Sequence, residues 1–116
     1  MDNASEIELL LKSSDEKLYL SIGDALDDGF AILPKSAKEK IEDAKRWFNA
    51  KKEIYAEIIC SNDKIKDLHE KGNAKLEIIS VIADSIASIS TLVPPITIAT
   101  LLFKEGIHKL CNTRWK

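Results

Sequence analysis

Arginine is almost missing from this chain: Arg46 and Arg114 are the only two, and lysine supplies nearly all the remaining positive charge. A nucleic-acid surface draws on arginine clustered along a basic face. With a net charge of −2 over 116 residues the chain offers neither, so nucleic acid is not an expected partner. Glycine (four) and proline (three) are also scarce. That excludes a turn-dense β architecture and favours a few long regular elements. Cys60 and Cys111 are the only cysteines and lack CxxC spacing. The opening segment, Met1 to Lys12, has neither the basic start nor the small-residue cleavage site of a secretory leader. Together these features predict a cytoplasmic protein whose two thiols are free and half-buried rather than bridged.

Catalytic patterns are missing as well. No GxGxxG, Walker loop, HExxH or nucleophile elbow occurs, and His69 and His108 have no Ser, Cys or Asp at motif spacing. His108-x-x-Cys111 joined with Cys60 and His69 would make a Cys₂His₂ set, but the spacing matches no familiar zinc module. The sequence therefore predicts no catalytic residues, no metal and no cofactor.

What is present is helical periodicity. Ile7, Leu10 and Leu11 stripe a first helix from about Asn3 to Lys12. Ser13-x-x-Glu16 reads as a capping box opening a second helix that carries Leu18, Ile22, Ala25 and Leu26 and stops at Gly29. Phe30 to Pro34 is an apolar connector and the one strand candidate. Ser36-x-x-Glu39 caps the longest helix, striped by Ile41, Ala44, Phe48, Tyr55, Ile58 and Ile59 and running to about Cys60. Ser61 and Asn62 cap a short helix ending at Gly72. A fifth helix runs from about Ala74 to Val93, and a sixth from Pro94-Pro95 to about Cys111, since proline suits a first turn and not an interior. Asn112 to Lys116 is left as a tail. The reading is one all-α domain over residues 1–116, an orthogonal or irregular bundle of five to six helices. Its C-terminal part, about 74–111, is an antiparallel hairpin turning at Pro94-Pro95.

The segment Ser85–Phe103 holds nineteen residues without a charge, long enough on length alone to span a bilayer. The two central prolines cut it into arms of about ten residues, each roughly 15 Å of helix, and it contains six Ser or Thr residues. On both helices the polar residues form a narrow stripe: Glu77, Ser80, Asp84, Ser88 and Thr91 on one, Thr97, Thr100, Lys104 and His108 on the other. So narrow a stripe means burial around most of the circumference. A core hairpin is the favoured reading, with a protein interface or membrane insertion as alternatives. Asp84 and Lys104 lie equally far from the prolines, which predicts an ion pair tying the arms.

Charge is uneven along the chain: residues 1–34 balance at −6, residues 35–75 at +3 and residues 76–116 at +1. Asp24, Asp27 and Asp28 crowd a helix C-terminus, against the macrodipole. They fail the alternating pattern of a calcium loop and are expected to contact a basic partner. Lys38, Lys45 and Lys52 recur every seven residues and read as a solvated face with Lys38–Glu42 and Glu42–Arg46 pairs. The resulting functional expectation is a non-catalytic interaction protein: an adaptor or small subunit of a larger bacterial assembly, immunity or defence being one such setting. Its partner is another protein or a second copy. The alternative is a membrane-active protein inserting residues 85–103.

Overall fold

Side-chain caps decide where three of the helices begin. The computed structural model describes residues 3–27, 35–72, 74–89 and 92–115, and its elements are α1 (Asn3–Lys12), α2 (Asp15–Leu26), α3 (Ala37–Cys60), α4 (Asp63–Lys71), α5 (Lys75–Ile86), α6 (Pro95–Glu105) and α7 (Ile107–Cys111). Ser14, not Ser13, opens α2: its hydroxyl accepts from the Lys17 N–H at 3.2 Å. That choice sets Asp15 and Glu16 in the first turn, where the helix dipole favours acids. Ser13 instead donates to the Leu9 carbonyl at 3.0 Å. The Ser36–Glu39 capping box forms as expected, and Asn62 caps α4 by accepting from the Lys64 and Ile65 N–H groups. Gly72 closes α4 in the left-handed conformation. α2 ends at Leu26, short of Gly29, with the Asp27 N–H donating to the Gly23 carbonyl. The 30–34 connector, and with it the strand candidate, lies outside the described residues.

Among the described residues there are seven helices rather than five or six, and no strand occurs. Two features account for the difference from the sequence reading. Gly106 adopts φ +110°, a conformation that L side chains rarely adopt. Its N–H donates to the Leu102 and Phe103 carbonyls, so the expected sixth helix breaks into α6 and α7. α5 stops at Ile86, seven residues before Val93, in a turn over 87–89. Ser88 offers the backbone a competing hydrogen bond, and the residue preceding a proline disfavours the helical region.

The core is one contiguous cluster. Ile7 of α1, Leu18 and Ile22 of α2, Phe48, Tyr55 and Ile59 of α3, and Ile65 of α4 meet Ile79, Ile82, Ile86, Ile98 and Leu101 of α5 and α6, all essentially inaccessible. α2 packs most extensively on α3, and α5 on α6. Thr97 and Thr100, expected on a polar stripe, are buried too. The Thr100 hydroxyl donates to the Ile96 carbonyl one turn back at 2.8 Å, which removes the cost of burying it. At Gly23 the backbones of α2 and α3 come so close that a Cβ there would sit 2.4 Å from the Lys40 carbonyl oxygen.

Cys60 and Cys111 form a disulfide, which overturns the expectation of free thiols. The break at Gly106 lets α7 bring Cys111 to the end of α3, with a Cα–Cα distance of 5.5 Å, inside the span a disulfide needs. The cysteines are 51 residues apart, so no local spacing could announce the bond. The C-terminal segment is held as well: Trp115 Nε1 donates to the Cys60 carbonyl at 2.8 Å, and Arg114 pairs with Glu53 at 3.3 Å.

Two substitutions test this packing. Gly23→Ala should destabilise the fold by roughly 1–3 kcal/mol, the usual cost of overpacking, seen as a lower denaturant midpoint with unchanged helicity. Reduction of the disulfide, or the Cys60→Ser/Cys111→Ser pair, should cost about 2–4 kcal/mol, because the bond closes a long loop in the unfolded chain. Equal midpoints for oxidised and reduced protein would contradict the clamp.

Candidate functional site

The acidic end of α2 faces lysines of its own chain. Lys40 donates to Asp24 at 2.9 Å. That hydrogen bond first, then the fields of Asp24 and Asp27, raise the Lys40 ammonium above the ordinary lysine value. Lys35 is raised chiefly by its bond to Asp43, with Asp27 adding a smaller contribution. The Asp43 carboxyl is correspondingly lowered. The dipole penalty at this helix end thus has a structural return, the seam between α2 and the start of α3. Asp28 lies outside the described residues.

The expected Asp84–Lys104 pair does not form. Lys104 donates to the Ser13 carbonyl at 2.6 Å and pairs with Asp15 at 2.8 Å, tying α6 to the α1–α2 junction. Asp84 shares a groove with Pro95 and Ile96, at the opposite end of α6 from Lys104. The equal-distance argument assumed helices that run up to the prolines. Because α5 stops at Ile86, the register differs from the one the sequence suggested. The heptad lysines also differ from a plain solvated face. Lys45 lies 5.6 Å from the centre of the Tyr19 ring, Lys52 lies equally near Phe48, and Lys52 pairs with Glu105 at 2.6 Å. Arg46 pairs with Asp43 rather than Glu42.

Both histidines and both cysteines gather at one end of the molecule. The His69 and His108 rings stack nearly parallel with centres 6.4 Å apart, and Trp115 lies 5.5 Å from His69. The four residues weighed as a zinc set are therefore close in space. Their sulfurs are bonded to each other, however, and among the described residues no group of three or more His, Cys, Asp or Glu is placed to hold an ion. Beside them opens a groove of about 620 Å³, lined by His69, Gly72, Ala74, Lys75, Ile78, Phe103, Gly106, Ile107 and His108. Ile78 and Ile107 are buried and form its floor. Gly72 and Gly106, the positive-φ residues among those described, bound it where α4 ends and where α6 breaks. The sequence reading missed Lys75, Gly106 and Trp115; the only signal was a glycine inside an otherwise continuous helical pattern.

The uncharged segment 85–103 divides in two. Its arms supply Ile86, Ile98, Ala99, Leu101 and Leu102 to the core, and no helix among the described residues is long and apolar enough to cross a membrane. Between the two helices Ile89 is 45% and Leu92 63% exposed. Comparison with protein-family models, curated proteins and solved structures finds no match for this chain.

The ion pairs of α2 and α3 give a pH prediction with a definite sign. A raised lysine lends stability that is complete below the ordinary lysine value and fades as pH climbs through the folded one. A lowered carboxyl lends stability that is complete above the ordinary carboxylate value and is lost as pH falls through the folded one. Denaturant midpoints should therefore hold between those limits as far as these groups are concerned. Asp24→Asn should remove the part of the alkaline loss that Lys40 carries. Asp24→Lys should destabilise the fold by setting a cation against Lys40; a gain in stability would mean that the dipole penalty outweighs the pair.

Proposed function

We propose that the chain is a non-catalytic α-helical interaction protein, an adaptor or small subunit of a larger bacterial assembly, that docks through the apex of its C-terminal hairpin. On this reading residues 1–116 form a single irregular bundle whose α5 and α6 are the antiparallel arms of that hairpin. The observation that carries the proposal is the exposure of Ile89 and Leu92 in a charge-free segment that otherwise gives Ile86, Ile98, Leu101 and Leu102 to the core. Two aliphatic side chains at a loop tip suit a pocket on a protein partner, where a few buried anchors dominate affinity.

Membrane insertion of residues 85–103 fits less well. It would withdraw Ile86, Ile98, Leu101 and Leu102 from the core. The apex alone offers two side chains worth about 1.5–3 kcal/mol each, and it lacks the lysine, arginine and tryptophan on which interfacial segments rely. Asp24, Asp27 and Asp28 enter as a secondary contact for a basic surface, since Asp24 keeps 56% of its side chain exposed while bonded to Lys40. The expected cytoplasmic setting stays part of this reading, with the Cys60–Cys111 bond as the feature that a reducing compartment would work against.

Photo-crosslinking from position 92 in the native host, followed by reconstitution of the identified binary complex, tests the proposal. Ile89→Asp/Leu92→Asp should weaken that complex roughly thirtyfold or more without changing helicity or the denaturant midpoint. Leu9→Asp, at a comparably exposed site on α1, should change neither binding nor fold. Unchanged affinity in the double variant would retire the apex as the docking site. Liposome flotation of the purified chain, abolished by the same double variant, would establish the membrane alternative.

A further inference from the structure

The groove bounded by α4, α5 and the α6–α7 break is independent of the hairpin apex, and its chemistry is one-sided. Its lower wall is hydrocarbon: Ile78, Phe103, Ile107 and Ala74. Its polar side chains are Lys75, His69 and His108, and among the described residues no carboxylate lines it. The acids of α5 lie on another face, Glu77 and Asp84 lining a separate groove with Lys64 and Leu76. Trp115 lies against His69, His108 is carried by α7, and α7 is fixed to α3 through the disulfide. The imidazoles are therefore held where they are by the fold. Ala74, at the start of α5, also provides no side-chain hydrogen bond to that helix's first N–H groups.

We propose that this groove binds a small amphipathic monocarboxylate, a free acid with an unbranched or aromatic apolar tail. The carboxylate sits among Lys75, His69 and His108, and the tail lies along Ile78, Phe103 and Ile107. A volume of about 620 Å³ lies inside the range of small-molecule sites, which combine mostly apolar walls with a few convergent polar groups. One lysine supplies one permanent positive charge, which matches a monoanion. Lysine also binds phosphate as a point charge, but the forked donors of bidentate phosphate recognition are arginines, and both are engaged elsewhere, Arg46 with Asp43 and Arg114 with Glu53.

Isothermal calorimetry with decanoate, 1-decanol and acetate on the oxidised full chain tests this. Trp115 fluorescence in a Trp47→Phe background serves as a second readout. Decanoate should bind one saturable site, with the alcohol (tail without charge) and acetate (charge without tail) each weaker by about tenfold or more. Lys75→Glu and the pair His69→Gln/His108→Gln should each weaken decanoate by about tenfold or more and leave the apex complex intact. Lys75 is exposed, so its replacement is not expected to disturb the fold. Equal affinity for decanol and decanoate, or unchanged affinity in Lys75→Glu, would overturn the proposal. So would tighter binding of a short peptide ending in leucine, which would make the occupant a polypeptide C-terminus.

Discussion

The backbone turn at Gly106 is the point on which the C-terminal half depends. At φ +110° it ends α6 and lets α7 bring Cys111 to the end of α3. The disulfide then fixes α7, and with it Ile107 and His108, against the rest of the bundle. Trp115 follows, bonding to the Cys60 carbonyl and lying beside His69. Without the break the C-terminal helix would continue along α6, and neither the disulfide nor the groove wall would exist.

The N-terminal half is organised by a close approach. Gly23 allows α2 to meet the α3 backbone at Lys40, and the ion pairs around Lys40 and Lys35 line the same seam. Charged side chains on the surface each contribute little, so the seam is held by burial of Leu18, Ile22, Ala44 and Phe48. The charges select how the two helices are set against one another. Lys104 does the same for α6 by reaching Ser13 and Asp15, which links the two halves.

The two proposed sites divide the molecule by chemistry. The proposed docking segment presents Ile89 and Leu92 and carries no charge, suited to a preformed pocket on another protein. The groove at the opposite pole of α5 joins hydrocarbon to one lysine and two imidazoles, suited to an amphipathic anion. Both lie where helices stop: after Ile86 and before Pro95 for the first, at Gly72 and Gly106 for the groove. Chain ends of helices expose side chains and backbone groups that the regular packing elsewhere consumes.

The all-helical class, the bounds of α1, α3 and α4, the Ser36 capping box, and the burial of Phe48, Ile59, Ile82 and Leu101 were legible in the sequence. They follow from local rules: helical periodicity, side chains that cap within three residues, and glycine as a terminator. Other features were not legible. The pairing of Cys60 with Cys111, the exchange of Asp84 for Asp15 as the partner of Lys104, and the gathering of His69, His108 and Lys75 around one groove all join residues distant in sequence. Each depends on where a helix stops, and an early stop at Ile86 or a break at Gly106 resets every contact beyond it. Local propensity sets which segments are helical; only the packed chain decides which helix ends meet, because that choice is made by burying side chains far apart in sequence.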